Sequence, residues 1–392
     1  MFYNVFMDGL DKLQAMTPYM DMEVLDGQEK TPAASTNAPC TKQQTFPIYL
    51  AALPNGKRTP ILKSMFSSAC TRNCNYCAFR ADRDFRRETF QPDEMAESFS
   101  RIHRSGAVEG IFLSSGVMGS GITTQDRLLD TAEILRNRMG YQDYLHLKIM
   151  PGAEKEQVRR AMQLADRVSV NLEAPTTAHL QKLAPQKMLL EELLRPLRWV
   201  EEIRRTEPAH QGWKGRWPSS TTQFVVGAVD ESDVDLLRAS QYLTHSLHLK
   251  RVYFSPFNPV RNTPFEGQTP LNLWRQSRLY QASFLIRDYG FTLEEFPFAV
   301  DGNLPLNMDP KLAWAQLHLA ERPVDLERAD VQDLMRVPGI GPMGAKAIVN
   351  ARRLGRLRGL RDLRRLGVAA ERASPFILIQ GRRPAVQLAL FY

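Results

Sequence analysis

The sequence predicts an α/β fold: an incomplete barrel of six β/α units with a small all-helical domain at its C-terminal end. Three observations predict it. From Pro60 to about residue 257, short β-rich apolar runs alternate with helical patterns. Strands separated by helices pair in parallel, because each return crosses over the sheet. Beyond about residue 300 the alternation stops, and short helical patterns joined by glycine-rich turns take over, with an excess of basic residues.

Taken in order, residues 1–26 read as an amphipathic helical segment, and residues 27–45, GQEKTPAASTNAPCTKQQT, as a polar loop. The strand runs are ILKSMF (61–66), GIFLSS (110–115), LHLKIM (145–150), RVSVNL (167–172), TTQFVVG (221–227) and RVYFSPF (251–257). Helical patterns fall at 92–106, 124–140, 154–165, 188–205 and 231–247. The Gly-, Pro- and Trp-rich segment 206–220 reads as a surface loop at a strand's start, opposite the expected active face. The expected domains are an N-terminal extension and loop (1–57), the barrel (58–300), a linker helix (301–322) and the helical tail (323–392).

The chain has 392 residues and is 43% hydrophobic, enough for one large core and a smaller domain. No apolar run approaches the roughly 18 residues that suggest a membrane span. The first residues, MFYNVFMDGLDKLQ, are too acidic for a secretory signal, so a cytoplasmic protein with no membrane partner is expected. Charge is unevenly placed. From Arg322 onward there are 14 basic and 6 acidic residues, while the remainder balances at 37 of each. That asymmetry suits a polyanion-binding tail on a neutral body, and equally a solvated basic helix pair.

Three of the four cysteines fall together, Cys70-Thr-Arg-Asn-Cys74-Asn-Tyr-Cys77, spaced C-x3-C-x2-C directly after the first predicted strand. Three thiolates on one loop can ligate three irons of a cubane cluster and leave the fourth iron open. The competing reading is a zinc site completed by Cys40. Structural zinc prefers paired C-x2–4-C arms, and Cys40 lies in the polar loop, so it reads as a bystander. The spacing and position resemble the radical SAM superfamily. The resemblance implies a partial (β/α)6 TIM-like radical SAM barrel and a 4Fe–4S cluster on Cys70, Cys74 and Cys77. It also implies that S-adenosylmethionine (SAM) is cleaved to a 5′-deoxyadenosyl radical. The aromatic residue before the third cysteine, here Tyr76, would pack near the adenine.

Weaker motifs follow in the family's order. Ser114-Ser115-Gly116 stands where a Gly-Gly-Glu-like stretch meets the SAM amino group, without the glutamate. Asn171 and Glu173 alternate on one face, where the family meets the ribose or carboxylate. Gln223-x-Val225-x-Gly227-x-x-Asp230 resembles the family's G-x-I-x-G-x-x-E, which implies that Val225 and Gly227 pack against the adenine, with the motif's first Gly and last Glu replaced. Phe254 and Ser255 would offer backbone to the adenine. Arg80, Arg83, Arg86 and Arg87 read either as SAM-carboxylate or phosphate binders or as a solvated basic helix start. His245 and His248 read as surface residues, not a metal pair.

The tail segment LMRVPGIGPMGAKAIVNARR (334–353) resembles a helix-hairpin-helix motif, and a second hairpin is expected across 357–377. Glycines in such a turn let backbone N–H groups approach a phosphate at a helix N-terminus. Gly339, Gly341, Gly344, Lys346, Arg352 and Arg353 are the expected nucleic-acid contacts. A radical SAM barrel followed by this pair resembles the putative DNA modification/repair radical SAM proteins. That resemblance implies DNA as partner, an electron donor such as flavodoxin or ferredoxin, and a neighbouring uracil-DNA-glycosylase-like protein. The alternatives are an RNA-modifying radical SAM enzyme and a non-catalytic nucleic-acid-binding Fe–S scaffold.

Overall fold

The computed structural model describes residues 8–22, 46–52, 58–355 and 357–384. The polar loop 27–45 with Cys40 therefore lies outside the described residues. The described residues divide into two compact units, Met1–Glu231 with Tyr242–Gln276, and Ser232–Gln241 with Ser277–Tyr392.

In the first unit, α1 (Gly9–Met16) buries Leu13 and Met16 and runs into a 3-10 turn (Thr17–Met22). The sheet begins with β1 (Ile48–Ala52) and β2 (Arg58–Met65). Then come α2 (Pro92–Arg104), β3 (Gly110–Ser114), α3 (Gly121–Glu133), β4 (Tyr144–Lys148), α4 (Lys155–Leu164) and β5 (Arg167–Ser169). They are followed by α5 (Thr177–Leu183), α6 (Arg195–Thr206), β6 (Ser219–Val226) and β7 (Arg251–Pro256), while α7 (Asp233–Ser246) and α8 (Leu273–Tyr289) each contribute residues to both units. All six expected strands form. The helices start where chemistry lets them: α2 has a Gln91/Glu94 capping box with proline in its first turn, and Ser120 caps α3 by accepting from the Thr123 N–H.

The strands form one curled half-barrel sheet in the order β1 to β7. Strands β2 to β7 pair in parallel, each with its successor, as the alternation predicts. The sequence reading missed β1, which pairs antiparallel to β2 in the register Ile48↔Leu62. It covers the barrel's first edge. The parallel order aligns the C-terminal ends of the strands, which is where α/β sheets place their ligands.

At the opposite ends, segment 206–220 does lie where it was expected. Trp213 packs under the Arg136 guanidinium, 3.9 Å from the ring centre, and Arg136 pairs with Asp166 just before β5.

The second unit continues with α9 (Pro310–His318), β8 (Val324–Asp325), α10 (Val331–Arg336), α11 (Pro342–Arg353), α12 (Leu360–Arg365), α13 (Ala370–Ala373) and β9 (Ile377–Leu378). Its core gathers Leu326, Leu334, Val337, Ile340, Ile348, Leu363 and Ile377. Strands β8 and β9 pair in parallel, an addition to the expected all-helical tail.

Candidate functional site

The cysteine loop leaves β2 and is fixed by backbone bonds rather than by secondary structure. The Thr71 N–H donates to the Val117 carbonyl, and the Asn75 N–H to Leu183. The Gly116 N–H donates to Ser67. A Cβ on Gly116 would stand 2.4 Å from the Ala69 oxygen and 3.1 Å from the Cys70 Cβ. Only glycine permits this approach, so Gly116 acts by bringing the Ser114–Gly116 turn against the cysteine loop.

The sulfurs accept backbone N–H bonds. Cys70 Sγ accepts from Arg72 and Val117, and Cys77 Sγ from Phe79, each at 3.4 Å. Cys74 is buried, and Cys70 and Cys77 are partly buried; all three are free thiols. Burial, aided by the neighbouring sulfurs, pushes the Cys77 thiol well up; burial also raises Cys74. Bare Cys74 and Cys77 therefore stay protonated, and a positive counter-charge would be needed to ionise them.

Arg87 organises the stretch after the cluster. Its guanidinium donates to the carbonyls of Ser68, Phe79, Arg80, Ala81 and Arg83. Arg83 donates to Ala78 and Arg261 carbonyls, Arg80 pairs with Asp82, and Arg86 with Glu88. These arginines bind their own loop. They neither start a helix nor line the cavity described next.

That cavity, about 890 Å³ including its open mouth, sits at the C-terminal ends of the strands. It is lined by Cys70, Cys74, Tyr76 and Cys77, by Ser114, Ser115 and Gly116, and by Asn171, Glu173 and Gln223. Nine residues expected at the site from sequence thus meet in one place, joined by Gln223. The expected adenine contacts Val225, Gly227, Phe254 and Ser255 lie further along the sheet, outside that lining.

Glu173 carries the most informative geometry. Strand β5 ends at Ser169, yet Glu173 rejoins β6: its N–H donates to Gln223 (2.9 Å), and its carbonyl accepts from Val225 (2.8 Å). It does so with φ at 66°, in the left-handed region a non-glycine residue seldom takes. One carboxylate oxygen accepts from Lys187 Nζ at 2.8 Å, and both side chains are nearly inaccessible. Burial opposes ionisation of both, but each charge outweighs it for the other. Glu173 stays below the usual carboxylate range, and Lys187 above the usual ammonium range. The second oxygen, Oε2, is buried and makes no hydrogen bond of ordinary geometry among the described residues, and the Tyr76 hydroxyl lies beside the carboxylate as a donor.

Lys148, Lys187 and Arg72 give the cavity a basic side that sequence reading missed. Arg72 is spent on Glu192 at 2.5 Å and on the Gln186 carbonyl. Lys187 lies in a connection between helices and carries no motif, so only its pairing with Glu173 reveals it.

The turn after β6 needs a correction. Asp230, read as standing for the motif's glutamate, is exposed and pairs with Lys182. The carboxylate that closes the turn is Glu231. It accepts from the Gly227 N–H (2.6 Å) and the Val229 N–H (3.3 Å) and pairs with Arg275. Gly227 takes φ of 88° there. His248 lies on the surface and pairs with Glu201.

In the second unit, the first turn joins α10 to α11. Gly339 has φ of 86°, and a Cβ on it would stand 2.5 Å from the Ala369 oxygen. Gly341 caps α11, and Gly344 packs against Val368. Lys346 and Arg353 are exposed. Arg352 instead donates to the Leu326 and Ala329 carbonyls, holding α11 to the segment after β8.

Residues 64–206 match the family model described as the Radical SAM superfamily. The chain carries a radical SAM domain. Residues 320–376 match the helix-hairpin-helix motif. No curated protein matches the chain. Among solved structures the chain is similar to methylornithine synthase PylB, at 14% identity and TM-score 0.46, over 57% of this chain and 62% of that one. It is also similar to the FeFe-hydrogenase maturase HydG from Carboxydothermus hydrogenoformans, at 16% identity and TM-score 0.45, over 58% and 51%. A third is the radical S-adenosylmethionine methyltransferase TsrM from Kitasatospora setae, at 14% identity and TM-score 0.39, over 53% and 38%. The matched part spans less than two thirds of each of these structures.

Among the described residues no three His, Cys, Asp or Glu side chains converge on a point that would hold a single metal ion. A cubane spaces its ligands around several irons, so three thiols facing one cavity fit it better than they fit one ion. No described helix is long and apolar enough to cross a membrane.

Proposed function

We propose that the chain is a radical SAM enzyme that modifies or repairs DNA held by its helix-hairpin-helix unit. The observation that carries the reading is the shared cavity: three free cysteines face it, together with the buried Glu173–Lys187 pair. Cys70, Cys74 and Cys77 would hold a 4Fe–4S cluster. When bound, the cluster and SAM together supply a 5′-deoxyadenosyl radical that abstracts a hydrogen atom.

The chain's own residues do the rest. The Ser114–Gly116 turn offers backbone acceptors beside the cysteine loop. Glu173, ionised beside the Tyr76 hydroxyl, offers a carboxylate that suits an ammonium or hydroxyl donor of SAM. Lys187 keeps that carboxylate ionised. Lys148 adds positive charge suited to a carboxylate. Tyr76 is buried beside Glu173, and burial pushes its phenol well up, so it stays neutral and packs as an aromatic wall.

The hairpin unit would bind phosphates without reading sequence. A base inside a duplex cannot reach such a cavity, so the target nucleotide is flipped or single-stranded. A flavodoxin- or ferredoxin-like donor supplies the electron, and a uracil-DNA-glycosylase-like protein is a candidate partner.

Anaerobically reconstituted chain with dithionite is expected to convert SAM to 5′-deoxyadenosine, and Cys77→Ala to abolish this. An intact cluster without SAM cleavage would sink the enzymatic reading in favour of the scaffold. Nucleosides from the DNA of cells lacking the gene should differ from wild type. A difference confined to RNA would move the proposal to an RNA substrate.

A further inference from the structure

Cys74, Cys77, Glu173 and Lys187 line one cavity, and the Glu173–Lys187 pair is nearly closed to solvent. Lys187 is fixed there by a strap, residues 182–192, that runs along the cysteine loop. The strap bonds to two residues standing between the cysteines, Arg72 and Asn75. The Asn75 N–H donates to the Leu183 carbonyl at 2.9 Å, and its Nδ2 to the Lys182 carbonyl at 2.8 Å. Arg72 donates to the Gln186 carbonyl and pairs with Glu192. Glu192 also accepts from the Met188 N–H at 2.9 Å. Lys187 therefore has anchors on the cysteine loop both before and after it in the chain.

The two charges of the pair act on the sulfurs with opposite sign. Burial raises the Cys74 and Cys77 thiols. The Lys187 ammonium opposes that rise at both sulfurs, while Glu173 adds to it at Cys74. The same fields act on anything the sulfurs hold. A cluster on three thiolates that takes one electron becomes more negative by one charge, with no bond made or broken. A fixed positive charge stabilises that reduced state, and a fixed negative charge destabilises it. Neither member of the pair is open enough for salt to screen it.

We propose that Lys187 is a positioning residue for electron entry: held by the strap, its ammonium raises the potential at which the cluster accepts an electron, and Glu173 lowers it. The inference rests on the cluster reading above. The electron comes from a low-potential donor, which is oxidised by one electron in the exchange. Groups outside the ligand set tune a metal centre in this way when their position is fixed, and the strap fixes this one.

The test reads the midpoint potential of the reconstituted full-length chain without SAM, in a dithionite titration followed by electron paramagnetic resonance and visible absorption. Iron and sulfide are assayed in each sample, and potentials are compared at equal loading. Lys187→Met is expected to lower the ratio of reduced to oxidised cluster at a fixed potential roughly tenfold, which is about 59 mV in the midpoint. Lys187→Arg keeps the charge and should stay near wild type. Glu173→Gln leaves the ammonium uncompensated and should raise the ratio. A purely structural role would not give the two neutral variants opposite signs. A midpoint unmoved by Lys187→Met, or moved in the same direction by both variants, overturns the proposal. Where Lys187→Met takes up no cluster, Glu173→Gln decides: a raised midpoint supports the proposal, and an unchanged or lowered one overturns it. Wild type that gives no reduced 4Fe–4S signal overturns instead the reading on which it rests.

Discussion

At the scale of single residues, the cavity depends on two that tolerate little change. Gly116 touches the cysteine loop so closely that an added methyl must displace the Ala69 carbonyl or Cys70. Overpacking of this kind typically costs about 1–3 kcal/mol. Gly116→Ala is expected to lower iron and sulfide content after reconstitution at least to about half, in step with that cost. Content equal to wild type would show that the loop yields freely. Glu173 is the second. Removing it leaves Lys187 charged and buried, and breaking a buried pair costs roughly 3–5 kcal/mol. Urea denaturation of the cluster-free chain should show a loss of that order for Glu173→Ala. The Glu173→Ala/Lys187→Met double variant should recover much of it. Equal losses in single and double variants would mean that Lys187 is not the partner whose charge matters.

At the scale of elements, α9 and the first hairpin are joined by a buried lysine. Lys311 Nζ donates to the Ile340 carbonyl at 2.6 Å and lies over the Tyr289 ring. Burial, with Arg372 and Arg336 nearby, brings its pKa down from 10.5 to about 7 despite Asp309. Between pH 7 and 10.5 the unfolded chain binds this proton and the folded chain does not, so stability rises with pH across that window. Below pH 7 both states are protonated, and this group contributes no slope. The slope is at most about 1.4 kcal/mol per pH unit. Chemical denaturation of wild type and Lys311→Met from pH 6 to the upper end of that window should therefore converge towards low pH in slope and diverge above it. Parallel curves would rule out a depressed Lys311.

At the scale of the whole molecule, chemistry and nucleic-acid binding are assigned to different units, and each should be separable by its own measurement. Deleting residues 323–392 is expected to abolish DNA affinity and its salt dependence, while the remaining chain retains SAM cleavage. Undiminished DNA binding by the truncated chain would remove the tail's role.

The sequence by itself determined what local chemistry dictates. β-rich runs marked the six parallel strands, the cysteine spacing marked the loop after the first of them, and the Gly339–Gly341 turn marked the hairpin. Ser114, Asn171 and Glu173 were legible because strand alternation and motif order put them at the right ends of the right strands. What only the tertiary structure decided came from contacts between segments far apart in the chain. Edge strand β1 has no local mark, because its 5 residues, IYLAA, gain meaning only by pairing with β2. Lys187 becomes a site residue only because the chain between α5 and α6 returns to Glu173. Glu231 takes the place that local spacing gave to Asp230, because the turn after β6 directs one acid to backbone donors and the other to solvent. The arginines after the cysteines looked like anion binders because charge is visible in sequence. Carbonyls have no sequence signature, so their binding of Arg87 is not.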